Sequence, residues 1–461
     1  MEDKQNQKLI KMTTQPVEKL ICRLAVPTII SMMVTALYNM ADTYFVSNLG
    51  NDQTGAVGVV FPVMAIIQAL GFFFGQGSGN YMSRALGKGD SSSAEKMASV
   101  GFFTCFAVTA VLAWTSLLFM APLSRLLGAT DLIEPHAIKY MRWILIGAPF
   151  LSTSYVLNNQ LRFQGNAMYS MIGIGIGSVI NVGLDPLFIT TFNMGVSGAA
   201  LATVISQFIS FCLLLFVTYK SDSLRIKLKN FSFRILYFKE LFIGGTPSLA
   251  RQGLSSVATA LLNRAAGAYG QEAAIAAMTI VSKMMMFASS ALIGFGQGFQ
   301  PVCGFNWGAG LYSRVRKAIL FCMKVALVAL AGIAALGIAL APWIISLFRD
   351  DPEVIRLGAI ALRAQCVALP LMGITVMTNM ALQNIGKVWR ATFLALARQG
   401  LMFIPVIIVL PMLFKLNGVI ISQGIADVLA FAVALPLNLT LLKDLKKRSE
   451  NELGTTNKTT V

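Results

Sequence analysis

The amino-acid sequence predicts an all-α polytopic membrane protein with twelve transmembrane helices in two parallel-repeat six-helix lobes. Three observations predict it. Of 461 residues, 56% are hydrophobic and 12% charged, with a mean hydropathy of +0.69; a soluble domain carries about 25% charged residues. Twelve apolar runs follow one another, near 20–46, 55–81, 97–121, 138–157, 168–190, 197–219, 240–266, 272–299, 315–347, 357–380, 391–413 and 418–442, each long enough to match the roughly 20 residues of a spanning helix. The halves also repeat: Gly75-Gln76-Gly77 returns as Gly296-Gln297-Gly298, and Pro149, Leu161 and Gly165 return as Pro370, Leu382 and Gly386, all 221 positions on. Each half has six runs, an even number, so both enter the membrane in the same orientation, and transporters built this way hold substrate between their halves.

Residues 1–19 precede the first run and carry Lys4, Lys8, Lys11 and Lys19. Residues 20–219 form the first lobe, 220–239 a basic linker, 240–442 the second lobe and 443–461 a tail with Lys443, Lys446, Lys447 and Arg448. The loops on the side of the N-terminus hold Arg84, Lys88, Lys96, Arg162, the linker, Arg314, Arg316, Lys317, Lys387 and Arg390. The opposite loops hold few cations: Arg125, Lys139, Arg142, Arg349, Arg356 and Lys415. The bias has one sign throughout, which places both termini in the cytoplasm. It also accounts for the net charge of +17 without nucleic acid. The first run is too long for a signal peptide and lacks a small-residue cleavage pattern, so it reads as a retained helix.

The first helix carries Ser31, Thr35, Tyr38 and Asp42, a polar stripe at helical spacing, and Pro27, able to bend it. The second helix ends in Gly87-Lys88-Gly89, matched by Gly308-Ala309-Gly310. The fourth ends with Tyr155, Asn158 and Asn159. The fifth contains the stretch on which function turns, Asn181-Val182-Gly183-Leu184-Asp185-Pro186. Asn181 and Asp185 are four apart and share a helix face. Pro186 lacks an N–H and frees the Val182 carbonyl one turn back. A carboxylate, an amide oxygen and a freed carbonyl suit a small hard cation or a proton, and an intramembrane carboxylate is a functional site by default. The sixth helix adds Thr203, Gln207 and Ser210, read equally well as interhelical glue.

In the second half, Leu262 and Val406 stand where the first has Asp42 and Asp185. Its intramembrane charges are mainly basic: Arg251, Lys283, Lys324, Arg363 and Arg398, with Asp427 the one clear acid. Lys283 and Arg398 are deep enough to face a cavity or pair. The 23 methionines, Met168, Met171 and Met284-Met285-Met286 among them, read as apolar filler or as lining for a shape-tolerant pocket. Six scattered cysteines without CxxC spacing and a single histidine, His136, give no metal or disulfide pattern. No P-loop occurs, so transport is expected to run on an ion gradient.

The chain resembles the multidrug and toxic compound extrusion (MATE) family, in its MepA-type branch. The residues that carry the resemblance are Ala41-Asp42-Thr43-Tyr44-Phe45-Val46-Ser47, Ala85-Leu86-Gly87-Lys88-Gly89-Asp90 and, most specifically, Asn181 to Phe188. The resemblance implies a MATE/MOP-type fold and a Na⁺- or H⁺-coupled antiporter that exports cationic amphipathic drugs or dyes and confers antibiotic resistance. Its cation site, for Na⁺ or a proton, carries over onto Asp42, Asn181, Asp185 and Thr203. Tyr38 and Asn158 match neighbouring polar residues and Pro27 the bending proline, with Pro186 a second conformational position. The expected cavity adds Gln207, Met171, Lys283 and Arg398. NorM-type members also use acids in the seventh and eighth helices; Arg251 and Lys283 stand there instead, so coupling is expected in the first lobe. Apart from the coupling ion no cofactor is expected, nor a nucleic-acid partner. The protein is expected to act as a monomer among lipids of a prokaryotic plasma membrane.

Two other readings compete. A flippase for lipid-linked anionic precursors shares the two-lobe plan, and the basic second half keeps it open. An intramembrane enzyme would need a nucleophile or metal constellation, and no G-x-S-x-G or His cluster is present, so no enzymatic activity is expected.

Overall fold

The computed structural model describes residues 2–47, 49–220 and 224–458, so Met1, Asn48, part of the predicted linker and the end of the tail lie outside the described residues. A polar helix, Glu2–Thr14, leads into the membrane helices. The first lobe consists of α1 (Val17–Ser47), α2 (Asn51–Gly87), α3 (Ser91–Leu118), α4 (Glu134–Phe163), α5 (Ala167–Pro186) and α6 (Val196–Lys220). Helical conformation then runs through Ile235–Gly308, beginning inside the stretch expected as linker. At 1.5 Å per residue its 74 residues would extend about 110 Å if straight, several bilayer thicknesses. Gly77 of α2 abuts Leu241 while Gly87 abuts Phe305, and a Cβ on Gly267 would lie 3.3 Å from Ile275 Cδ1. Those contacts require a fold-back, giving α7 (235–270) and α8 (272–308). The second lobe continues with α9 (Tyr312–Ala339) and α10 (Pro352–Asn384). In α11 (388–414) and α12 (416–458) the helical run breaks at Lys415, φ 49° and ψ −130°.

The repeat seen in sequence recurs in three dimensions. Helices α2 and α8 end at glycines followed by left-handed turns, Gly89 at φ 78° and Gly310 at φ 77°, a backbone that costs glycine little. Asp90 then caps α3, its carboxylate accepting from Ser93 N at 2.9 Å. In the first lobe Asn158 Nδ2 donates to Ser170 O at 2.9 Å; in the second Asn379 Nδ2 donates to Ala391 O at 2.6 Å. Each residue of the second pair stands 221 positions beyond its counterpart.

The lobes meet around a crossing of α2 and α8. A Cβ on Gly87 would lie 2.2 Å from Phe305 O, and one on Gly308 2.1 Å from Arg84 O. Again the two contacts are 221-residue equivalents, as expected for a pseudo-twofold between the halves. Helix α1 is held to α8 in the same way, with Gly294 against Ile29 and Gly298 against Ala25. Polar contacts reinforce this end of the molecule. Gln300 Nε2 donates to Gln76 Oε1 at 3.1 Å, Arg162 Nη1 to Gln300 Oε1 at 3.3 Å, and Thr28 Oγ1 to Gly294 O at 2.6 Å. Arg84 pairs with Glu240 at 3.0 Å and Lys317 with Glu18 at 2.9 Å. The Glu2–Thr14 helix bridges both lobes: Lys8 Nζ donates to Asn166 Oδ1 at 2.7 Å, and Met12 O accepts from Asn306 Nδ2 at 3.1 Å.

Two cations counted above among the loops therefore belong to the interior. Arg162 is 1% exposed and Arg84 is held between Glu240 and Asn384 O. Large side chains such as Val179, Trp114 and Leu336 stand exposed on the outer helix faces, where lipid rather than water is the expected solvent.

Candidate cation site and interlobe cavity

Helix α5 presents Gly173, Gly177, Asn181 and Asp185, spaced by four, as one buried stripe. The glycines let α6 approach: a Cβ on Gly177 would lie 2.8 Å from Ser210 Cβ, and Ser210 Oγ donates to Gly173 O at 2.8 Å. Two turns further along, this close packing sets Thr203 opposite Asn181. In the amide orientation that satisfies both neighbours, Asn181 Oδ1 accepts from Thr203 N at 3.3 Å while its Nδ2 donates to Asp185 Oδ2 at 3.3 Å. Asp185 is fully buried. Pro186 ends the regular helix, and the chain widens into a π turn, Leu187–Thr191, a common accommodation of a break in the i→i−4 ladder.

Asp42 approaches from α1. One of its carboxylate oxygens, Oδ1, is buried without a hydrogen-bond partner among the described residues. Asp42, Asp185, Tyr38 and Tyr140 lie within Coulombic range of one another. A buried carboxylate oxygen without a donor is costly. A proton or a cation would satisfy it, and the carboxylate oxygens of Asp42 and Asp185, the Asn181 amide oxygen and the Thr203 hydroxyl are hard oxygen donors of the kind Na⁺ takes. The structure thus brings Asn181, Asp185 and Thr203 together, with Asp42 facing them. Tyr140, missed in the sequence because it lies between Lys139 and Arg142 near the start of α4, is 1% exposed and donates to Met64 Sδ at 3.4 Å.

Next to this cluster, between the lobes, is a cavity of about 220 Å³. It begins where the interlobe seal ends, and its wall includes Thr35 of α1, Tyr155 and Asn158 of α4, Arg251 of α7 and Gln297 of α8. Of the residues expected around a substrate, Asn158 is in this wall. Tyr38 belongs to the acidic cluster. Met171 follows the wall residue Ser170, and Gln207 is half-buried on α6. Lys283 is half-buried on α8. Arg398, on a π turn (Ala397–Met402) in α11, pairs with buried Asp427 at 2.7 Å, realising the pairing alternative. Pro27 lies within α1, whose helical conformation is unbroken from Val17 to Ser47, and its neighbour Thr28 makes the interlobe bond to Gly294.

The MatE family model matches residues 27–187 and 247–409, one segment in each lobe. The multidrug export protein MepA of Staphylococcus aureus (strain MSSA476) is 29% identical over 445 residues, covering 95% of this chain and 97% of that protein. A MATE crystal structure in complex with MaL6 superposes with a TM-score of 0.90 at 29% identity, covering 95% of this chain and 99% of that one. The outward-facing conformation of a multidrug resistance MATE family transporter of the MOP superfamily gives a TM-score of 0.88 at 29% identity, covering 95% and 98%.

Proposed function

The chain belongs to the MatE family, and from that premise we propose that it is a secondary active multidrug exporter, exchanging cationic amphipathic compounds for H⁺ or Na⁺ through the first lobe. The observation that carries this is the buried cluster of Asp42, Asn181, Asp185 and Thr203 beside an interlobe cavity. Two carboxylates close together in a medium of low dielectric bind positive charge, and the entering ion and a cationic substrate compete for it. Binding of the ion then lowers affinity for drug, and linkage makes the effect reciprocal.

With the termini in the cytoplasm, the seal around Gly87, Gly298 and Arg162 closes the cytoplasmic side, and the conformation is the one that releases substrate outward. Return requires that seal to open and a second to form at the other end, the alternating access typical of paired repeats. Pro27 stands beside the α1–α8 contact, where a missing backbone hydrogen bond lets bent and straight forms of α1 differ by only a few kcal/mol. The named relatives are drug exporters, which favours this reading over the flippase for lipid-linked precursors.

The test is dye efflux from vesicles holding the purified protein, with H⁺ and Na⁺ gradients imposed separately. One gradient should drive export, and Asp185→Asn should remove gradient-driven export while leaving the protein folded in the membrane. Export by the variant at the wild-type rate would refute coupling at this site.

A further inference from the structure

Among the described residues, the single charged one in the cavity wall is basic. Arg251 lines the cavity from α7. Among the described residues no carboxylate lies within ion-pair distance of it. Arg251 is within Coulombic range of two further guanidiniums, Arg162 and Arg398. Of these, Arg398 has Asp427 at 2.7 Å, whereas Arg162 meets the amide oxygens of Gln300 and Asn159 and the face of the Phe163 ring, and among the described residues its Nε is buried without a partner. Three guanidiniums thus share one carboxylate. Buried charge without a counter-charge is expensive, and a planar guanidinium aimed into a cavity is suited to a carboxylate, which it binds in a bidentate fork. The acids Asp42 and Asp185 are not in the wall, so they do not serve this role.

We propose that Arg251 is a substrate-binding residue that accepts an anionic group, so that the cavity selects amphoteric compounds: an apolar, cationic body with a carboxylate at one end. The inference rests on the export reading above and refines its substrate class. The carboxylate would meet Arg251, with Gln252 and Gln297 from the same wall as further donors. The aromatic body would lie on Phe72 and Tyr155, whose rings are 5.1 Å apart, and the cationic portion would turn toward the first lobe and its acids. One substrate would thereby bridge the two lobes by opposite charges, and a purely cationic compound would have to be held from the first lobe alone.

Rhodamine 19 and rhodamine 6G test this. They share the xanthylium cation and differ in a free carboxylate versus its ethyl ester. Binding of each to purified wild-type protein, Arg251→Gln and Arg251→Lys would be measured by fluorescence anisotropy, and export of each in vesicles. The expected result is that Arg251→Gln weakens rhodamine 19 about tenfold or more and rhodamine 6G less than about twofold, with partial recovery in Arg251→Lys. Unchanged ester binding also shows that the variant is folded. Equal loss for both dyes, or no loss for the acid, would overturn the assignment while leaving export of rhodamine 6G by the wild type as separate support for the transporter reading. If wild type binds with the predicted selectivity but exports neither dye under any gradient, the export reading fails and the anion contact stands.

Discussion

Replacing Gly298 by alanine should push the protein away from the conformation described here. The added Cβ would lie 2.4 Å from Ala25 Cα and 2.5 Å from Ala25 N. Ordinary carbon contacts are about 3.5–4.0 Å, so α8 must withdraw from α1 by roughly 1 Å, and backbone atoms cannot rotate aside as a side chain does. Overpacking of this kind costs about 1–3 kcal/mol, and the helix-propensity gain of Gly→Ala returns about 0.5–1 kcal/mol of that. The gain is common to all conformations in which residue 298 stays helical, whereas the clash exists only where α1 and α8 touch. The sealed state should therefore lose about 1–3 kcal/mol relative to one with the lobes parted at this end, a shift of roughly 5- to 150-fold. Spin labels on Lys88 and Arg316, which stand in different lobes at the sealed end, would report it by pulsed electron–electron resonance in nanodiscs. A longer-distance population should appear in Gly298→Ala and be absent from Gly332→Ala, where an added Cβ meets nothing within 4 Å. Identical distance distributions for both variants and wild type would show that the glycine contact does not hold the lobes together.

Three other perturbations read different parts of the structure. Asp427→Asn leaves Arg398, 20% exposed, without its counter-charge; stability in detergent should fall by about 3–5 kcal/mol, seen as a large drop in thermal midpoint, and an unchanged midpoint would mean that the pair is not buried in solution. Asp90→Ala removes the cap of α3 and should cost about 1 kcal/mol. The hydrogen bonds from Ser93 hold the Asp90 carboxyl below its ordinary pKa, so its contribution is present above the unfolded-state pKa and is lost as pH falls through the folded one; thermal midpoints of wild type and Asp90→Ala should converge in acid, and a constant gap would contradict the assignment. Pro27→Ala restores a backbone donor in α1 and should slow turnover more than it weakens dye binding; lost binding with normal turnover of the remainder would end the idea of α1 as a switch.

Much of the fold was legible because lipid imposes a simple rule. A helix that must satisfy its own backbone in hydrocarbon needs a long apolar run, and the runs of α1 to α6 are separated by basic loops and turn glycines. Residue pairs at offset 221, Gly75/Gly296 and Gly165/Gly386 among them, disclosed the two lobes. The ends were less legible: α7 starts at Ile235 because Arg234 and Lys239, which read as linker, sit at a helix end where charged heads reach water. Asp185 and Asn181 were recognisable because a carboxylate four residues from an amide, before a proline, is rare at such depth. Their opposite partner Thr203 was ambiguous by residue type alone, since a membrane threonine commonly back-bonds to its own helix, as Thr203 does to Ala199 O. Tyr140 and Arg162 were not recognisable. Both stand close to charged or loop residues in sequence, and only the packing of α4 between α2 and α6 turns them inward. The seal was also hidden: Gln76 and Gln300 look like any polar glue until the second lobe is laid against the first.

The central claim is that one buried acidic cluster serves both ion and drug by competition. Equilibrium binding of rhodamine 6G to the purified protein, titrated across pH and across Na⁺ at fixed ionic strength, tests it most directly. The account predicts that affinity weakens as the coupling ion saturates its site, that the dye weakens ion binding by the same factor, and that both effects vanish in Asp185→Asn. Dye affinity independent of pH and of Na⁺ would contradict it.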